Sequence, residues 1–233
     1  MQIAPEKEIR VRLTFKKSVL GTAPKNEEIY RDFIGSKAPD AQTVEEEVAA
    51  LGVEEAAEKG MTVFLRSDDG DEVTPCLKDY QIRGFFKDAC SMLSRIQKAQ
   101  EAREAEAEED QEAAGKKKAA KKKAASTESG KLKAYKKIID GLIFVEPEFI
   151  PLRFDGETTV CQRPLRAQTA QGERVALAMS EQVPKGTTCE FTIQLLDAGL
   201  EKAVIEWLDY GSFRGIGQWR NSGKGRFTYE ILN

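Results

Sequence analysis

The chain has 233 residues, 40% of them hydrophobic, enough to bury one large core or two small ones and to exclude wholesale disorder. Its formal charge of −3 sums 36 basic and 39 acidic residues that are segregated along the sequence, so the acidic total does not exclude a basic stripe. Histidine is absent, which excludes Ser-His and Cys-His nucleophile pairs, a Cys/His zinc site and the commonest general base near neutral pH.

The four cysteines (Cys76, Cys90, Cys161, Cys189) have no C-x-x-C spacing and read as reduced, mostly buried thiols of a cytosolic protein. No apolar run approaches the roughly 20 residues of a membrane span, and the first residues lack the apolar core of a secretory signal. The expectation is a soluble cytoplasmic protein without cofactor or metal.

In chain order, Ile9, Val11, Leu13 and Phe15 alternate with Arg10, Arg12, Thr14 and Lys16. That period of two predicts a half-buried strand over 8–16 whose outer face is cationic, either solvated or facing phosphate. Residues 21–60 break the pattern and predict an inserted helical subdomain, with Asn26 and Thr43 as helix caps and a solvated acidic face around Glu45–Glu47. Met61–Arg66 and Val73–Leu77 read as two arms of a hairpin joined by an Asp-Gly turn at Asp68–Asp71. Phe85, Phe86, Ala89, Met92, Leu93 and Ile96 recur at helical spacing and predict an amphipathic helix over 84–97. Arg83 and Lys87 stand near its start, where free N–H groups favour an anion.

From 97 to 130 the composition falls to Ala, Glu, Gln, Lys and Ser, an acidic block preceding the basic run Lys116–Lys123. This predicts a flexible charged insertion that buries nothing. A strand is expected over 142–150, then a cationic extended segment at Arg163 and Arg166. Glu173–Gln182 and Thr187–Leu196 read as a second hairpin around Pro184-Lys185-Gly186, and a helix over 198–210 follows, capped by Asp197.

The stretch Gly211–Tyr229, GSFRGIGQWRNSGKGRFTY, carries the most chemistry. Gly215, Gly217, Gly223 and Gly225 allow positive φ and close backbone approach, Arg214, Arg220, Lys224 and Arg226 attract phosphate, and Trp219 offers a stacking face. It predicts a loop that holds nucleic acid between a helix and a final strand over 226–232. A Gly-rich surface turn with incidental charges is the plainer alternative, and Trp219 could equally anchor the second helix in the core.

With insertions removed the order is β-α-β-β-α-β, which predicts an α+β fold with a ferredoxin-like (RRM-like) core, an antiparallel sheet and both helices on one face. The segment Asp69-Gly70…Pro75…Tyr80–Ala89 and the glycine stretch Gly211…Gly215-Ile216-Gly217…Arg220…Gly223–Phe227 resemble two motifs of the RAMP superfamily, the RRM-like RNA-binding subunits of CRISPR effector complexes. The resemblance implies one RAMP-like domain over 1–233, of CRISPR or phage origin, which binds single-stranded nucleic acid, RNA rather than DNA, lines up along the strand and does not cleave it. Arg83, Lys87, Arg163, Arg166, Arg214, Trp219, Arg220, Lys224 and Arg226 are the candidate contacts. Two other classes stay open: a regulatory or anti-defence phage factor that binds a protein or a small nucleotide, and a metal-dependent nuclease built on Asp68, Asp69, Asp71 or Glu45–Glu47.

Overall fold

The computed structural model describes residues 3–25, 60–68, 73–113, 127–169 and 172–232. The expected subdomain at 21–60 falls almost wholly outside the described residues, as do the Asp69–Asp71 turn and the lysine run. The architecture is mixed α+β, with helices packed on one of three sheets.

The elements in chain order are β1 (Lys7–Phe15), β2 (Val19–Leu20), β3 (Ala23–Pro24), β4 (Thr62–Val63), β5 (Leu65–Asp68), β6 (Val73–Lys78) and α1 (Asp79–Ala113). The short α2 (Glu128–Lys131), α3 (Tyr135–Leu142), β7 (Ile143–Glu146), β8 (Phe149–Pro151), β9 (Thr159–Thr169), β10 (Gly172–Val183) and β11 (Thr188–Leu195) follow. The chain closes with a 3-10 turn (Ala198–Leu200), α4 (Glu201–Arg214), a second 3-10 turn (Arg220–Ser222) and β12 (Phe227–Leu232).

The largest helix-covered unit is a four-stranded antiparallel sheet in the order β12-β1-β11-β7. β1 pairs β11 with Val11 opposite Phe191, and β12 with Leu13 opposite Tyr229. β7 lies on the far side of β11, Ile193 opposite Val145. The alternation read in the sequence sets which face is covered: Ile9, Val11, Leu13 and Phe15 are buried in one cluster with Phe85 and Phe86 of α1 and Val204, Trp207 and Leu208 of α4. Phe86 meets Trp207 at 5.4 Å, and Phe227 meets both Phe15 and Phe85 edge-on. Truncating a buried aromatic of this kind typically costs about 3–5 kcal/mol.

Two further sheets were not foreseen. One runs β2-β10-β4-β3 with β9 on β10, and the other runs β5-β6-β8. The β5–β6 pairing, Leu65 opposite Cys76, agrees with the hairpin expected there. The second expected hairpin is overturned: β10 pairs along its length with β9, from Gly172 opposite Thr169 to Gln182 opposite Thr159. β11 already has β1 on one edge and β7 on the other, so it has no edge left for β10. The segment with Arg163 and Arg166, expected to be extended, is strand β9.

The expected boundary at 97 also moves. α1 runs on through the acidic block to Ala113, because Ala, Glu and Gln are strong helix formers whether or not they are buried. Nor does the insertion bury nothing. Ser129 at its end is fully buried, its Oγ donating to Glu206 Oε2 (2.6 Å) and accepting from Trp207 Nε1 (2.9 Å). Gln97 Oε1 accepts from both the backbone N–H (3.0 Å) and the hydroxyl (2.6 Å) of Thr127. No helix of the described residues is long and apolar enough to cross a membrane.

Candidate nucleic-acid interface

The glycine stretch begins inside α4. A Cβ on Gly211 would sit 2.0 Å from the Phe227 ring, so this glycine makes room for the aromatic that closes the core. Gly215 ends the helix at φ 79°, its N–H donating to Gly211 O (3.2 Å). The loop then folds back on itself, Ile216 N–H donating to Gly225 O (3.0 Å). A Cβ on Gly225 would lie 1.8 Å from Ile216 O, and one on Gly215 would lie 2.6 Å from Lys224 O. These two positions need glycine for close approach as well as for positive φ. Trp219 itself sits at φ 53°, a left-handed backbone uncommon outside glycine, and the residue is 41% exposed. The core tryptophan is Trp207, so the alternative of Trp219 as the anchor of the second helix does not hold.

Around Trp219 opens a cleft of about 420 Å³ lined by Arg163, Arg214, Gly217, Gln218, Trp219, Arg220 and Asn221. It joins two elements far apart in sequence, strand β9 and the loop after α4. Arg163 lies over the indole ring at 5.1 Å, and one of its terminal nitrogens donates to Gln218 Oε1 (3.0 Å). Its Nε and its other terminal nitrogen are buried without a hydrogen-bond partner. Arg214 Nε and Arg220 converge on a single oxygen, Asp88 Oδ2 of α1, at 2.7 and 2.8 Å. Arg214 also donates to Asn221 Oδ1 (3.0 Å). The hydrogen bond to Asp88 raises the Arg214 pKa further, so this guanidinium is charged at any working pH. Two guanidinium groups thus meet one carboxylate, and a third lies over the indole face.

The other candidates lie elsewhere. Lys224 donates to Ser18 Oγ (2.6 Å) and Gln182 Oε1 (3.3 Å), which ties the loop to the strap after β1 and to β10. Arg226 stands next to it, its Nε buried without a partner and its side chain against Gly223. Arg83 pairs with Asp79 (2.7 Å) and Lys87 with Asp140 of α3 (2.5 Å), and neither lines the cleft. At the start of α1, Gln81 Oε1 accepts the Lys78 N–H (2.8 Å) and Glu148 O accepts the Asp79 N–H (3.0 Å). Arg166 lies in β9 with its backbone alone described. Asp88, Gln218 and Asn221 were missed by the sequence reading. Asp88 carried no signal, since a single acid on a helix gives none, but Gln218 and Asn221 flank Trp219 and Arg220 and could have been found.

The open face of the four-stranded sheet is a different surface. Arg10 and Arg12 both bond Glu190, at 3.0 and 2.7 Å, and Arg12 also faces Glu230 at 3.7 Å. The hydrogen bond from Arg12 holds the Glu190 carboxyl below its ordinary value. Glu8 and Glu146 both accept from Gln194 there. The two arginines of this strand face are ion-paired. Among the described residues no three Cys, Asp or Glu side chains gather as a metal site would need.

No family model matches the sequence. No characterised protein matches it by sequence. Among solved structures it is similar to a chain of a type IV-B CRISPR complex, at 14% identity and a TM-score of 0.37, with 97% of this chain and 90% of that one covered. It is similar also to a chain of the type III-B Cmr-beta complex bound to cognate target RNA, at 11% identity and a TM-score of 0.40. There 97% of this chain is covered and 60% of the other. Both likenesses are remote, and what the cleft does is read from its own residues.

Proposed function

We propose that this chain is a non-catalytic protein that binds single-stranded nucleic acid, RNA rather than DNA, in the cleft between Arg163 and Trp219, and that its helix-covered sheet is the ferredoxin-like core of a RAMP-type protein. Strand order supports the core reading. β1 and β7 are both antiparallel to the β11 between them, β11 and β12 are both antiparallel to the β1 between them, and a helix leads from the first to the second of each pair. That is the connectivity of two interleaved split βαβ units.

The convergence of three arginines and an exposed indole on one cleft, with two nitrogens of Arg163 buried and unpartnered, carries the functional reading. Guanidinium groups gathered around a cleft match the paired oxygens of a phosphate. Indole faces stack any base, which suits a strand with its bases unpaired. The Gln218 and Asn221 amides add donors for base edges or sugar hydroxyls. The carboxylate at the cleft, Asp88, is bonded by two arginines and serves as their anchor, so the groups present hold a strand and offer no general base to cut it.

The direct test is anisotropy of a labelled oligouridylate against the protein and an Arg163→Ala/Arg220→Ala double variant over a salt series. Weaker binding with a flatter salt dependence is expected. Unaltered binding by the folded double variant would move the site and favour a protein partner. A matched deoxyribose oligonucleotide decides the sugar.

A further inference from the structure

The cationic surface continues past the cleft. At the end of β1, backbone bonds fix four segments side by side. Gly225 N–H donates to Ser18 O (3.0 Å) and Lys16 N–H to Arg226 O (2.8 Å), joining the glycine loop to the strap after β1. Phe15 N–H donates to Thr187 O (2.9 Å) and Gly186 N–H to Phe15 O (2.8 Å), joining that strap to the Pro184–Gly186 turn. Thr188 and Arg153 exchange bonds at 2.8 and 2.9 Å, which adds the segment after β8.

Three of these segments present exposed cations, Lys16 and Lys17 on the strap, Lys185 on the turn and Arg153 beyond it. None of the four has an acidic partner among the described residues, in contrast to Arg10 and Arg12 on the sheet face. Between the turn and the Arg153 segment lies a groove of about 1230 Å³, lined by Arg153, Lys185, Phe154 and Thr188 among others. Among the described residues its lining holds one carboxylate, Asp155.

We propose that this groove is a second subsite for the same single-stranded nucleic acid, joined to the cleft by Lys16 and Lys17, so that a bound strand crosses the end of the sheet from Trp219 to Arg153. This rests on the function proposed above. Neighbouring strands lie about 4.8 Å apart, so the four segments span roughly 14 Å, a distance an extended nucleotide backbone covers in a few phosphates. Cations without carboxylate partners are the ones that displace counterions from a strand, and each contact adds about 0.7 to the salt slope. An acidic peptide would be drawn by the same charges but has no use for continuity with the Trp219 ring.

The experiment compares two labelled oligouridylates, one just long enough to fill the cleft and one several nucleotides longer, each titrated over a salt series. Arg153→Ala/Lys185→Ala should lower the salt slope for the longer strand by about 1.4, two contacts of about 0.7 each, and leave the shorter strand unchanged. Lys16→Ala/Lys17→Ala should act on the longer strand in the same way. All four side chains are exposed, and thermal melts of each variant check that the fold is kept. An unchanged slope at both lengths, while Arg163→Ala/Arg220→Ala still weakens both, overturns the second subsite and leaves the cleft standing. An equal loss at both lengths also overturns it, since the groove would then be no extension. Normal binding by Arg163→Ala/Arg220→Ala overturns the underlying reading, and the subsite with it.

Discussion

Two pairs of arginines in this molecule each share one carboxylate, and the surroundings of the two pairs differ. On the open sheet face Arg10 and Arg12 bond Glu190, and Glu8, Glu146 and Glu230 stand around them. In the cleft Arg214 and Arg220 bond Asp88, but Arg163, from strand β9, has no acidic partner among the described residues and lies against an exposed indole. The first surface has more carboxylates than guanidinium groups, four to two. The second has three guanidinium groups to one carboxylate and an exposed ring. Counting cations in the sequence would rank the two alike, whereas a phosphate distinguishes them by the local balance of charge.

The largest effect that separates them is expected from Gly225→Val. The new side chain would enter the space of Ile216 O and also sit at φ 70°, so the loop cannot close. We expect destabilisation of at least about 3 kcal/mol by denaturant titration together with loss of oligonucleotide binding. A stable variant that still binds would show that loop closure does not build the cleft.

Arg163→Ala/Arg220→Ala comes next. Its salt slope should fall by about 1.4, and Arg10→Ala/Arg12→Ala should leave the slope where it was. Equal effects from the two double variants would erase the distinction between the surfaces. Trp219→Ala should weaken binding by about 1–3 kcal/mol with the slope nearly unchanged, because stacking is not ionic. Its melting temperature should move little, since the ring is outside the core.

The smallest effect concerns acid. Glu190 has its folded pKa depressed by Arg12 and Arg10, so its contribution to stability is present above the ordinary carboxylate range and is lost as pH falls through the depressed value. Glu190→Gln should therefore flatten the acid limb of stability against pH, measured by urea unfolding from neutral pH downward. A limb as steep as before would mean that the sheet lattice contributes nothing measurable, as many surface pairs do.

Much of the helix-covered sheet was legible because its signals are local. The alternation from Ile9 to Phe15 and the helical spacing from Phe85 to Ile96 both mark buried faces, and Asp197 caps the turn before α4 by accepting from Gly199 N–H (2.8 Å). Pairing partners were less legible. The Pro184–Gly186 turn looks the same whether its two strands pair with each other or one pairs with the adjacent β9 and the other with β1 at the far end of the chain, and the edges of β11 decide between them. The cleft was half legible for the same reason: Trp219 and Arg220 sit together in the sequence, but nothing local says that Arg163 and Asp88 meet them. Ser129 was illegible because a serine among alanines and lysines gives no sign that Trp207 needs its hydroxyl.

The chain has only two tryptophans, and the fold puts them in opposite environments. Trp207 is sealed beneath Ser129, and Trp219 stands in the mouth of the cleft. Their emission therefore divides the molecule into two reporters. Trp219→Phe leaves a blue-shifted signal that follows unfolding and is blind to added strand. Trp207→Phe leaves a solvent-facing signal that a stacked base should quench, so occupancy of the cleft can be followed by intrinsic light without a label on either partner.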